Sequence, residues 1–453
     1  MKRTLLISIL SALLCLAIAA QTPRPAQSVP GGVPAAIPGA SVVSTEVRQE
    51  TFDIVWRTVK DKHFDPTHGG VDWDKVREQY APRAAAAKTD SEFYGVLRQM
   101  LGELRQSHFN IIPPEAVIDD HSPEPKAGGI GIDLRLVDGQ PVITRVDPGS
   151  SAASADLRPG FIIKRIDDTN AEQVIALFAK SKESEALRTL RITRTLMARI
   201  GGAPETTVRI AYLDERDQPR EATVTRERLK GEMSQRLGNF PPQYTEFEAK
   251  RLAGSVGYIR FNVFVMILMD RIKTAIRGMS DAPGIIFDLR GNPGGVGGMS
   301  SGIAGVLKRE QGSLGTMRMR AGYQNFAIFP QANPYLGPVV ILTDGGSAST
   351  SEIFAGGMQE LGRAVVVGER TAGAALPSIF QKLPTGALFQ YAVADFRTPK
   401  GTLIEGRGVA PDIEVRLTRR VLLEGRDPQL EAAIEQITKQ SKQRKAVAAR
   451  TTF

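Results

Sequence analysis

Cysteine is almost absent. The 453-residue chain holds one, Cys15, which excludes a disulfide framework and a cysteine-based metal site. Histidine is nearly as scarce, with four: His63, His68, His108 and His121. The spacing of His63 and His68 does not match HExxH and no third ligand lies near them, so neither a metal nor a cofactor is expected. Beyond residues 4–20 there is no long apolar run, which excludes a multi-pass membrane protein. Aromatic residues make up 6% of the chain, and its basic segments (RITRTLMAR, TRERLK, MRMR, RLTRR, KQSKQRK) carry no interleaved aromatic platforms. The net charge of +9 therefore does not read as nucleic-acid binding. Peripheral contact with an anionic membrane surface, or with acidic peptide, fits it better.

What is present divides along the chain. Lys2 and Arg3 precede a run of apolar or small residues ending in Ala17-Ile18-Ala19, the pattern of an export signal over 1–20. Residues 21–44, rich in Pro, Ala and Gly, read as a flexible linker. From Thr45, Phe52, Val55, Trp56 and Val59 recur at helical spacing. A helical domain is expected over 45–122, with Asp90 or Ser91 capping its third helix. Short alternating strands with DG, PG and RPG turns follow, giving a β-rich domain over 123–228 in which 194–207 looks like an insertion. Over 229–443, apolar strands alternate with helices, as in an α/β core. Residues 444–453 read as a disordered basic tail. Cleavage after residue 20 would remove Cys15, leaving a protein indifferent to an oxidising compartment.

Two segments carry chemistry. In PVVILTDGGSASTSEIF an apolar strand runs through two glycines into a helix, and Ser349 with Glu352 has the capping-box spacing. Ser349 is either a simple cap or a nucleophile displayed on a strand-to-helix turn, where the helix N-terminus favours developing negative charge. The segment IIFDLRGNPGGVGG places Gly291, Gly294, Gly295 and Gly297 after another strand. Such clusters let backbone N–H groups approach a ligand, as an oxyanion requires. Asp288 and Arg290 look like organisers of that turn.

Taken in order, VGYIRF, DLRGNPGG, GSASTSEI and GVAPDIEV resemble the S41 serine peptidases, the C-terminal processing and tricorn-type proteases. GIGI and LRPGF resemble a PDZ domain. The resemblance implies a multidomain α+β fold: an N-terminal helical domain, a PDZ-like β-rich domain and an α/β (crotonase/ClpP-like) catalytic core. By position it makes Ser349 the nucleophile, and Gly294, Gly295 and Thr350 the oxyanion hole. The processing-protease lysine is missing: Ala374 stands at its place in GERTAGAALPS. Ser107-His108 resembles the tricorn branch instead, which makes His108 the general base, with Glu405, through Ser107 or a water, orienting it. Gly129, Ile130, Gly131 and Ile132 would form the peptide-binding loop. The expected function is a periplasmic or secreted serine endopeptidase acting on polypeptides through an acyl-enzyme. Its rival is a catalytically inactive, peptide-binding envelope protein.

Overall fold

The run Val339–Thr343 is uniformly apolar or β-branched, and all five residues are buried. Such a run suits the middle of a parallel sheet covered on both faces. In the computed structural model, which describes residues 43–114, 127–181 and 183–451, it is the fourth of six strands. Their order is Phe247–Arg251, Gly257–Phe261, Ile285–Asp288, Val339–Thr343, Val365–Gly368 and Ile413–Glu414. The first pair is antiparallel and the rest are parallel. Alternate residues serve opposite faces. Ile285, Phe287, Val339 and Ile341 pack with the helices Met269–Gly278, Gly298–Gly305 and Thr350–Glu360. Ile286, Val340 and Leu342 pack against Ala433 and Ile437 of the helix Pro428–Thr451.

Register matters more than strand count. Asp288 pairs with Leu342, so the glycine-rich loop and the Ser349 turn leave the same edge of the sheet, side by side. The carboxyl ends of parallel strands are where ligands meet such sheets.

The helical segment consists of Thr45–Lys62, Trp73–Ala85 and Asp90–Gly102. Thr89, not Asp90 or Ser91, caps the third helix, accepting from the Glu92 N–H at 3.1 Å. Asp90 is committed elsewhere, to the Arg48 guanidinium at 2.6 Å. These helices do not close a core alone. Phe52, Leu97 and Met100 share theirs with Leu376, Phe389 and Tyr391, and Asn110–Ile112 pairs antiparallel with Leu388–Ala392.

Between Ile132 and Thr225 six strands form an antiparallel sheet with Ile132–Val137 as an edge strand, and Gly128–Gly129 pairs separately with Glu227–Arg228. The helix Glu185–Ile200 packs Ile192, Leu196 and Ile200 into its core. Residues 194–200 are therefore the second half of an integral helix and not an insertion. Its mixed basic and apolar sequence hid an amphipathic repeat. Near the other end of this helix, Leu187 and Leu190 cluster with Ala348, Ala372 and Ala374. The final helix runs to Thr451, through the stretch read as a disordered tail. The export signal, most of the linker, and His121 lie outside the described residues. Among the described residues, no helix is long and apolar enough to cross a membrane.

Candidate active site

Ser349 sits between the strand Val339–Thr343 and the helix Thr350–Glu360 with φ 55° and ψ −118°. A non-glycine residue rarely holds this conformation, and it persists only where the surroundings enforce it. Here they do. The Ser349 N–H donates to the Ala374 carbonyl at 2.8 Å and to Glu352 Oε2 at 3.0 Å. Glu352 also accepts from the N–H groups of Gly373 and Ala374, at 2.8 and 2.9 Å, and from Thr371 Oγ1 at 2.5 Å. The carboxylate half of the expected capping box is thus present and does more than cap, because it ties the serine turn to residues 371–374. Burial pushes the Glu352 carboxyl up to about 7, against the pull of these donors.

The glycine-rich loop lies directly against this turn. A Cβ on Gly294, which has φ 94°, would stand 2.7 Å from Ser349 Cβ and 2.7 Å from the Thr350 nitrogen. Its own N–H is taken by Asn292 Oδ1 at 2.9 Å, and its carbonyl accepts from Phe264 at 2.8 Å. The Gly294 N–H, counted in the expected donor set, is therefore engaged within the loop, and the glycine supplies the space against the serine turn. The N–H groups of Gly295 and Thr350 find no acceptor among the described residues. Thr350 Oγ1 donates to the Gly295 carbonyl at 2.8 Å and so fixes one donor residue to the other. Two residues missed from sequence hold the loop. Asn292 is buried and bridges Gly294, Ser351 and the Phe261 carbonyl. Asp344 accepts from the N–H groups of Gly291, Gly346 and Ser347, while Arg135 of the β-rich segment reaches it at 2.6 Å. Both fall within the quoted motifs, but only the fold reveals which turn each one ties.

His108 follows the helical segment, also at positive φ, 59°. Its Nδ1 lies 2.7 Å from Ser107 Oγ. Ser107 Oγ donates to Glu405 Oε2 at 2.8 Å, and the Ser107 N–H donates to Glu405 Oε1 at 2.7 Å. With Glu405 ionised, the single hydroxyl hydrogen goes to the carboxylate, so the oxygen accepts from Nδ1–H. The ring proton then sits on Nδ1 and Nε2 keeps its lone pair, the form a base needs. Burial, with the nearby Arg194 cation, pushes the His108 pKa down to about 3, so the ring is neutral at pH 7. Burial also raises the Glu405 carboxyl above its ordinary value, opposed by its Ser107 and Ala375 donors.

The two halves meet at consecutive residues. The Ala374 carbonyl takes the Ser349 N–H, and the Ala375 N–H donates to Glu405 Oε2 at 3.0 Å. Ala374 is buried beneath Leu187 and Leu190, so its methyl group is part of an apolar contact. Asp288 and Arg290 form an ion pair at 2.6 Å that continues to Asp427 at 2.8 Å. Burial alone would raise the Asp288 carboxyl, and the Arg290 guanidinium outweighs it. This pair braces the turn. In the β-rich segment, Gly128–Gly129 pairs with Glu227–Arg228, and the Ile130 carbonyl accepts from Ala152 at 3.1 Å. The Gly131-Ile132 step then opens the edge strand.

A serine on a strand-to-helix turn, backed by backbone donors and a serine–histidine–glutamate chain, is the arrangement of a serine hydrolase. Comparison with known proteins narrows the class. The chain carries a Peptidase family S41 domain, whose model matches residues 255–415, and a Tricorn protease C1 domain, whose model matches residues 44–102. Among its relatives is a carboxyl-terminal-processing protease of Synechocystis sp., 27% identical over 392 residues, covering 84% of this chain and 85% of that protein. A chloroplastic C-terminal processing peptidase of Tetradesmus obliquus is 25% identical over 386 residues, covering 84% and 79%. The fold is similar to that of the photosystem II D1 C-terminal processing protease (TM-score 0.57, 22% identity, 83% of this chain and 97% of that one). It is also similar to mature CPAF complexed with lactacystin (TM-score 0.61, 15% identity, 88% and 98%).

Proposed function

We propose that the protein is an exported serine endopeptidase that cleaves polypeptides, with Ser349 as nucleophile and His108 as general base. The observation that carries this reading is the chain from Glu405 through Ser107 Oγ to His108 Nδ1. It leaves Nε2 unprotonated and is joined to the Ser349 turn by residues 374 and 375. His108 takes the Ser349 proton as Oγ attacks the scissile carbonyl. The oxyanion is received by the N–H groups of Gly295 and Thr350. The imidazolium then protonates the leaving amine, and water hydrolyses the acyl-enzyme by the reverse proton path. A lysine at position 374 is not needed, because the base comes from the helical segment.

The β-rich segment, read as PDZ-like, recruits substrate or gates the site. Its edge strand Ile132–Val137 has one strand neighbour and adjoins the helix Glu185–Ile200, the setting for an added peptide strand. The same helix touches the residue before Ser349, which gives peptide binding a physical route to the nucleophile turn. The relatives' names point to C-terminal processing as the substrate class.

The test is labelling with a fluorophosphonate, followed by intact mass and peptide mapping. One adduct on Ser349, lost in Ser349→Ala, supports the reading. Absence of labelling on the folded wild type favours the inactive peptide binder.

A further inference from the structure

His63 is buried completely at the end of the helix Thr45–Lys62, and the mechanism above does not use it. Its ring stacks between Phe64, at 4.6 Å, and Phe109, at 5.4 Å. Phe109 is the residue after His108. His63 Nδ1 lies 2.9 Å from the Asp65 carbonyl oxygen and 3.0 Å from the Asp65 nitrogen, and Nε2 lies 2.9 Å from Gln106 Oε1, which accepts its hydrogen. Gln106 is the residue before Ser107. The ring therefore grips both sides of Ser107-His108, by a hydrogen bond on one side and by stacking on the other. The gripped turn needs holding, because Arg105 and His108 both have positive φ, 54° and 59°, a conformation L-residues avoid. His63 is itself anchored to the core: Arg320 donates to its carbonyl at 2.5 Å and to the Lys60 carbonyl at 2.9 Å. Asp65 and His68 are the titratable groups that act on the ring.

We propose that His63 is a positioning residue, which through Gln106 and Phe109 holds the Arg105–His108 turn in the one conformation that presents the base. This rests on His108 being the base. Burial lowers the His63 pKa, so the ring stays neutral at neutral pH.

The experiment compares His63→Phe, His63→Gln, Gln106→Leu and the double variant His63→Phe/Gln106→Leu in the full chain, with peptide cleavage and thermal unfolding as readouts. His63→Phe keeps a stackable ring and removes the donor. His63→Gln keeps a donor at similar reach. A misplacement of about 1 Å costs on the order of 100-fold in rate. His63→Phe and Gln106→Leu should therefore each lower kcat by roughly 10- to 100-fold, with KM within about twofold. The double variant should be no worse than either single, and His63→Gln should recover part of kcat. Gln106 is only half-buried, so Gln106→Leu remains informative if a His63 variant fails to fold. Wild-type kcat in Gln106→Leu, or additive losses that follow the melting temperature, would overturn the proposal. His108→Ala runs alongside. If it stays active, the assignment of the base fails; if it is inactive while Gln106→Leu is normal, only the positioning role fails.

Discussion

Replacing Gly294 by alanine should damage catalysis far more than folding. The new methyl carbon would stand 2.7 Å from the Ala348 carbonyl oxygen, from Ser349 Cβ and from the Thr350 nitrogen. Carbon atoms in comfortable contact lie about 3.5–4.0 Å apart, so the loop and the serine turn must separate by about 0.8 Å or more. None of the three contacts is a flexible side-chain end that could swing aside. The Thr350 N–H, one of two proposed oxyanion donors, moves with them. Loss of one such donor costs about 100- to 1,000-fold in kcat, and a partial displacement should fall near the lower figure. Alanine at φ 94° adds backbone strain of roughly 1–2 kcal/mol, which appears as a modest loss of stability. Gly345→Ala is the matched control, in the same turn but with nothing within 4 Å of its Cβ and no positive φ. It should retain activity within about twofold and gain slight stability through the unfolded state. Steady-state cleavage of a fluorogenic peptide, with urea unfolding of each variant, gives both numbers. Gly294→Ala with kcat within threefold of wild type would refute the placement of the oxyanion hole.

Further expectations concern the charged groups. Glu405 Oε2 accepts from Ser107 Oγ and the Ala375 N–H while Oε1 accepts from the Ser107 N–H; Glu405→Gln turns an NH2 donor towards one side of Ser107 and should favour the wrong histidine tautomer, lowering kcat by roughly 100-fold or more with a near-normal melting curve. Glu352 is held neutral up to about pH 7 against an ordinary 4.5, so the native state binds its proton more tightly than the unfolded chain. Its contribution to stability therefore rises as pH falls from above 7 towards 4.5. Melting temperatures of wild type minus Glu352→Gln should climb over that window, and a difference independent of pH would contradict the raised pKa. Arg135→Met leaves the buried Asp344 without its cation; urea unfolding should show a loss of about 3 kcal/mol, together with slower turnover, because Asp344 ties both catalytic turns.

The residues proposed to carry chemistry were legible because each sits in a short motif whose spacing has a local cause. Ser349 follows an apolar strand, and Ser107-His108 is a dipeptide at a domain edge. Glu405 is the acid preceding GRGVAPD. What escaped the sequence depends on distant partners. Gly294 reads like Gly295 until Asn292 takes its N–H. The helix Glu185–Ile200 hid its continuation because its basic residues interrupt the apolar stripe. The helical segment looked self-sufficient, yet its core is completed by strands nearly 300 residues later in the chain. Thr89 displaced Asp90 as cap because Arg48 claims the aspartate. Position 374 shows the converse: the missing lysine was visible in the sequence, but the apolar contact that occupies its place was not.

The most direct test of the central claim is the single-turnover rate of peptide cleavage by His108→Ala beside wild type, both confirmed folded by melting. The account predicts a fall of at least about 1,000-fold, of the kind expected when the base of a serine-based triad is lost, with no acyl-enzyme trapped at Ser349. Wild-type cleavage by His108→Ala would contradict it and require another group to take the Ser349 proton.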